Sequence, residues 1–168
     1  MQLHKKHVRD DMMNVLKPTR VTRTYTQTLV APPDKVFPLL CPVREIDWAV
    51  GWQPLSVFSL SGIAEPDCVF ITPGDPTDAI WYVTRYESEN WLLEMVKVTP
   101  GITACRIIIR LYPSGNGCNA VVTYSYTSLG PKGDEIVEGF TEDYYREFMK
   151  AWEAELNTYL STGKKLSA

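Results

Sequence analysis

Histidine is nearly absent from this chain: His4 and His7 stand near the amino end, and none follows. A conventional histidine general acid or base is therefore excluded from the body of the chain, and any proton transfer there falls to Glu, Asp, Tyr or Arg. No Gly-x-Ser-x-Gly elbow, P-loop or dinucleotide-binding fingerprint occurs. The four cysteines, Cys41, Cys68, Cys105 and Cys118, are widely spaced without a Cys-x-x-Cys pair. They are expected as reduced packing residues, not as a disulfide framework or a zinc site. His4 and His7, three apart, lack a neighbouring cysteine or carboxylate cluster, so neither a metal nor a cofactor is expected. No apolar run is long enough to span a membrane. The first twenty residues hold Lys and Arg but no continuous apolar stretch, so no signal peptide is visible and a cytoplasmic location is the default expectation. A formal net charge of -3 gives no general attraction to polyphosphate, and no nucleic-acid partner is expected. The basic amino end and the acidic final segment are expected as solvated surface.

What the chain does have is 168 residues, one domain's worth, with 45% hydrophobic and 11% aromatic residues. Such aromatics suit strands and also the walls of apolar pockets. Residues 1–19 are expected as an extension, with Val8, Met12, Val15 and Leu16 at helical spacing until Pro18. A single domain is expected over 20–163 and a short tail over 164–168. Thr22, Thr24, Thr26 and Thr28 alternate with Arg23, Tyr25, Gln27 and Leu29, which predicts a strand. Pro32 and Pro33 end it, and two short helices are expected, to Leu40 and around Val43 to Trp48.

Six strand-like runs follow from Leu55 to Ser128, divided by Ser61-Gly62, Pro73-Gly74-Asp75-Pro76, Glu87-Ser88-Glu89-Asn90, Pro100-Gly101 and Ser114-Gly115-Asn116-Gly117. Turns this short join antiparallel strands. Ile136, Phe140, Tyr144, Phe148, Trp152, Leu156 and Leu160 then recur every four residues. This spacing predicts one amphipathic helix from Asp134 to Thr162, about 40 Å long if continuous, with Gly139 as a point of kinking and Gly163 as its stop.

Three segments carry a family likeness. They are Leu29-Val30-Ala31-Pro32-Pro33-Asp34-Lys35-Val36-Phe37, Glu45-Ile46-Asp47-Trp48-Ala49-Val50-Gly51-Trp52, and Phe140 to Phe148 continuing to Trp152, Leu156, Asn157, Tyr159, Leu160 and Gly163. In this order the chain resembles the START-related helix-grip superfamily (SRPBCC), in its polyketide cyclase/dehydrase-like branch. The resemblance covers roughly Val21 to Gly163. It implies an α+β helix-grip fold in which a curved antiparallel sheet of about seven strands (β-α-α-β6-α) wraps a long C-terminal helix around an internal cavity. It implies no single reaction, since members include carriers, hormone receptors, cyclases and chaperone partners.

Ten residues are candidates for a ligand site. Glu45, Trp48 and Trp52 would form an aromatic rim with an orienting carboxylate, or else pack beneath the two short helices. Tyr25 and Gln27 share a face with Leu29, which family patterns point inward; that face meets either the cavity or the closing helix. Glu94 shares a face with Leu92, Val96 and Val98, opposite Leu93, Met95 and Lys97, and periodicity does not choose between them. Trp81 and Val83 oppose Tyr82, Thr84 and Tyr86. Trp81, Tyr124, Tyr144 and Phe148 complete the set, as pocket wall or core. Arg106 and Arg110 alternate with Cys105, Ile107, Ile109 and Leu111, and the arginines are expected in solvent. No catalytic residue is assigned. The leading expectation is a module that binds or carries a small hydrophobic molecule, lipid-like or aromatic. The rivals are a cyclase or dehydratase working through cavity Glu and Tyr, and an adaptor without a ligand. A homodimer is left open.

Overall fold

The structure, a computed structural model, describes residues 13–167. His4, His7 and most of the helix expected at the amino end lie outside the described residues, and residues 13–19 carry no regular secondary structure. Seven strands are present: β1 (Arg20–Leu29), β2 (Ser56–Phe58), β3 (Val69–Thr72), β4 (Ala79–Glu87), β5 (Leu92–Thr99), β6 (Thr103–Ser114) and β7 (Gly117–Ser128). They form one antiparallel sheet ordered β1-β7-β6-β5-β4-β3-β2. Consecutive hairpins build β2 to β7, whereas β1 pairs with β7 at the far edge. The segment between β1 and β2 carries α1 (Pro33–Val36) and two 3-10 turns, Phe37–Leu39 and Arg44–Asp47. Pro33 opens α1, where a missing N–H costs nothing.

Alternation gives the sheet a dry inner face. On β6, Thr103, Cys105, Ile107, Ile109 and Leu111 are buried, while Arg106 is exposed and Arg110 half-buried on the other side. The register extends this choice across the strands: Leu93, Ile109 and Val122 form one inward row, and Met95, Ile107 and Tyr124 the next. One strand breaks the alternation. The β4–β5 pairing slips by one residue between Val83 and Arg85. Strict alternation would leave Tyr86 outside with Tyr82; the bulge turns it inward, where its ring lies 4.8 Å from Phe37.

The single long helix expected from Asp134 is two helices, α2 (Pro131–Gly139) and α3 (Glu142–Thr162). Phe140 leaves helical geometry at ψ 61°, and Thr141 is extended at ψ 165°. The Thr141 Oγ1 accepts the Tyr144 N–H at 3.2 Å and so caps α3, with Glu142 and Asp143 in the first turn against the helix dipole. The freed Phe140 carbonyl accepts a hydrogen bond from Arg23 Nε at 3.2 Å. Gly163, at φ 68°, closes α3 in the left-handed region, where glycine carries no steric penalty.

The face that α3 buries is set by Tyr145, Met149 and Leu156, rotated from the expected four-residue series. Tyr144 and Phe148 fall on one flank, 58% and 42% exposed. The other flank is fastened to the edge of β1. Glu153 Oε2 accepts the Thr28 N–H at 2.7 Å, Asn157 Oδ1 accepts the Val30 N–H at 3.0 Å, and Asn157 Nδ2 donates to the Thr28 carbonyl at 2.9 Å. The Asn157 carboxamide thus serves the strand edge as a neighbouring strand would.

A candidate ligand cavity between sheet and helices

A cavity of about 630 Å³ lies between the inner face of the sheet and the helices. Its sheet wall consists of Phe70, Trp81, Met95, Lys97, Ile107, Ile109, Tyr124 and Tyr126. Opposite stand Ile136 and Phe140 from the α2 end, and Tyr144, Phe148 and Trp152 from α3. Glu45 and the segment from Ala49 to Trp52 close a third side. The break after Gly139 places Phe140 against Tyr126, with ring centroids 4.9 Å apart, instead of on a continuous helix surface.

Six of the ten candidate residues line this cavity: Glu45, Trp52, Trp81, Tyr124, Tyr144 and Phe148. Trp52 is pinned by its indole N–H to the Pro42 carbonyl at 2.8 Å and meets Trp81 edge-on at 6.0 Å. Trp81 donates to Thr72 Oγ1 at 2.9 Å and stacks on Phe70 at 5.1 Å, only 16° from parallel. A fixed aromatic cluster results.

The other four do not line it. Trp48 is fully buried beneath the short helices, donating to the Leu39 carbonyl at 3.0 Å and packing on Trp152 at 5.3 Å. Gln27 points inward but meets α3, where its Nε2 donates to the Met149 carbonyl at 3.0 Å. Tyr25, half-buried on the same face, packs into the core beside it. Glu94 belongs to the outer face. Its neighbours in register are Arg85 and Ile108, and its Oε1 accepts the Thr84 hydroxyl at 3.0 Å. Pairing with β6 decides this: Leu93, Met95 and Lys97 sit opposite the buried Ile109, Ile107 and Cys105, so they take the inner face of β5.

Lys97 is thereby the residue that one-strand periodicity misses. The signal lies on β6, whose uniformly apolar face fixes β5 once the hairpin register is known. Its Nζ lies 5.0 Å from the centroid of the Trp81 ring, a cation–π arrangement. Burial lowers the Lys97 pKa, partly offset by the neighbouring Cys105. Burial also pushes the Cys105 thiol up to about 12, and raises Tyr124 and Tyr126 above the ordinary phenol value. Across the cavity, burial lifts the Glu45 carboxyl to about 8. Glu45 retains partial accessibility, and the surface it offers is part of the cavity wall. At neutral pH it is mostly a protonated donor. Among the described residues no group of three or more His, Cys, Asp or Glu could hold a metal ion, and no helix is long and apolar enough to cross a membrane.

A sheet wrapped on a closing helix, with two short helical segments after its first strand and a cavity between, defines the helix-grip fold. This chain has that fold. Norcoclaurine synthase from Thalictrum flavum superposes with a TM-score of 0.64 over 90% of this chain and 99% of its own, at 12% identity. The Ara h 8.0201 structure gives 0.60, covering 85% of this chain and 99% of that one at 14% identity. DynU16, from the dynemicin biosynthetic locus, gives 0.57 and 18% identity over 85% of this chain, which spans 48% of DynU16. These are likenesses of fold. No family model and no curated protein matches the sequence.

Proposed function

We propose that this protein binds a small, largely apolar molecule, lipid-like or aromatic, inside the cavity between sheet and helices. The carrying observation is the cavity itself. At about 630 Å³ it falls in the range of sites for drug-sized ligands, and its wall is mainly aromatic and aliphatic with a few convergent polar groups. Burial of a ligand there gains about 25 cal/mol per Å² of apolar surface. A solved neighbour of the same fold is consistent with the reading: norcoclaurine synthase has been captured with dopamine and hydroxybenzaldehyde.

One observation favours a second reading, an enzyme of the cyclase or dehydratase type. Glu45 and Tyr124 both face the cavity, and a carboxyl titrating at about 8 can lend and recover a proton near neutral pH. Glu94, on the outer face, takes no part. The adaptor reading, which a filled interior with a large exposed apolar patch would favour, gains no support from the cavity.

The test is native mass spectrometry of freshly purified protein, then denaturation to release bound material, together with calorimetric titration of a neutral aromatic probe, anthracene-2-carboxamide. A copurified apolar molecule or saturable one-to-one binding of the probe is expected. A clean mass with no saturable binding overturns the proposal. Turnover of a released molecule by the native protein, lost in Glu45→Gln, would establish the enzyme reading.

A further inference from the structure

Lys97 is an expensive residue to keep on the inner face of a sheet. Its neighbours in the same register row are Phe70, Trp81, Cys105 and Tyr126, and a leucine or methionine there would complete an apolar wall. Among the described residues its ammonium forms no salt bridge, with Glu45 or any other carboxylate, and makes no hydrogen bond. Its one close partner is the Trp81 ring. Lys97 is half-buried, and an ammonium partly withdrawn from water without a counter-charge is disfavoured. The polar side chains of the cavity wall include the Tyr124 hydroxyl, without a partner among the described residues, the Glu45 carboxyl, and the Glu155 carboxylate, which accepts the Val50 N–H at 2.9 Å; none of them pairs with Lys97.

Building on the ligand-binding reading above, we propose that Lys97 is the headgroup site of the cavity and that the ligand is a planar aromatic compound carrying an anionic oxygen, held with its ring among the aromatic side chains of the cavity and its acidic group on the Lys97 ammonium. Phe70, Trp81, Trp52, Tyr124 and Phe148 give the cavity an aromatic lining that suits a ring system. Lys97, the one cation among the lining residues, selects an acidic group at that point of the ligand. Specificity follows from the asymmetry of burial: a neutral analogue leaves the ammonium unpaired, whereas the anion satisfies it.

The experiment compares anthracene-2-carboxylate with anthracene-2-carboxamide, equal in shape and different in charge, by isothermal titration calorimetry on the full chain. The native protein is expected to prefer the carboxylate by tenfold or more. Lys97→Met should erase the preference while binding the carboxamide at least as well, and Lys97→Arg should retain part of it. If Lys97→Met does not fold, Lys97→Gln makes the same comparison with a polar side chain. Equal affinity for both compounds in the native protein, or a preference surviving the removal of Lys97, overturns the headgroup assignment and leaves ligand binding standing. Failure of both compounds to bind overturns ligand binding and the headgroup together.

Discussion

Two inward polar side chains, the buried Gln27 and the half-buried Glu45, make different demands on the protein. Gln27 is fully buried; its amide N–H₂ reaches the Met149 carbonyl, but its Oε1 has no partner among the described residues. Losing one neutral hydrogen bond costs about 1 kcal/mol, and relieving an orphaned acceptor returns about 1–3 kcal/mol. Gln27→Met, close to it in volume, is therefore expected to match or exceed the native stability in urea denaturation; a loss of several kcal/mol would show the amide to be fully satisfied. Glu45 sets a pH dependence. Its folded pKa lies near 8, above the ordinary 4.5, so its contribution is fully present below 4.5 and is lost as pH rises through 8. Glu45→Gln should overtake the native protein in melting temperature across that interval and keep a constant lead above it. A tenfold change in proton affinity on folding corresponds to about 1.4 kcal/mol, reduced here by the carboxyl's residual access to water. A difference independent of pH would mean that Glu45 titrates as a surface carboxylate. Lys97, lowered by burial, acts with the opposite sign at more alkaline pH.

The elements show what a one-dimensional pattern carries and what it omits. Strand positions are legible because Gly, Pro and Asn mark each turn, and β6 shows its inward face by its apolar alternation alone. Inward facing on β5 is not legible: both of its faces are mixed, and only pairing with Cys105 and Ile107 assigns Lys97 and Met95. Tyr86 departs from strict alternation because a bulge shifts phase without changing composition. The helix break is half visible. Gly139 flags a weak point, but the apolar series from Ile136 to Leu160 runs on through it, and Thr141 does not stand out as a cap inside a polar stretch. The candidates on β1 miss the cavity for a different reason: Tyr25 and Gln27 do point inward, yet α3 lies over that stretch and leaves no cavity there. The link between α3 and β1 has its own test. Asn157→Ala frees the Val30 N–H and the Thr28 carbonyl and should cost about 1–2 kcal/mol in a urea midpoint. An unchanged midpoint would mean that water replaces the carboxamide fully.

At the scale of the whole molecule, a sheet of seven strands encloses more volume than its side chains fill. Ordinary interiors are close-packed, so a space of about 630 Å³ beneath an aromatic wall is a feature that the sequence keeps open. Family resemblance implied a cavity, and the turn-by-turn strand count implied its container. Neither gave the volume, which depends on how the helix side chains, such as Phe148 edge-on to Tyr124, meet the sheet. Ile107→Trp, projecting from the buried face of β6 into the space, should cost about 1–3 kcal/mol of stability and weaken binding of anthracene-2-carboxamide at least tenfold. Undiminished binding would place the ligand elsewhere.

The cavity is also walled by three indoles, Trp52, Trp81 and Trp152, out of five in the chain. The protein therefore carries its own optical reporter. A non-absorbing apolar ligand that fills the space makes the surroundings of these rings less polar, and intrinsic emission should move to shorter wavelength in proportion to occupancy. A library of unlabelled compounds can then be screened by the colour of the protein's own light.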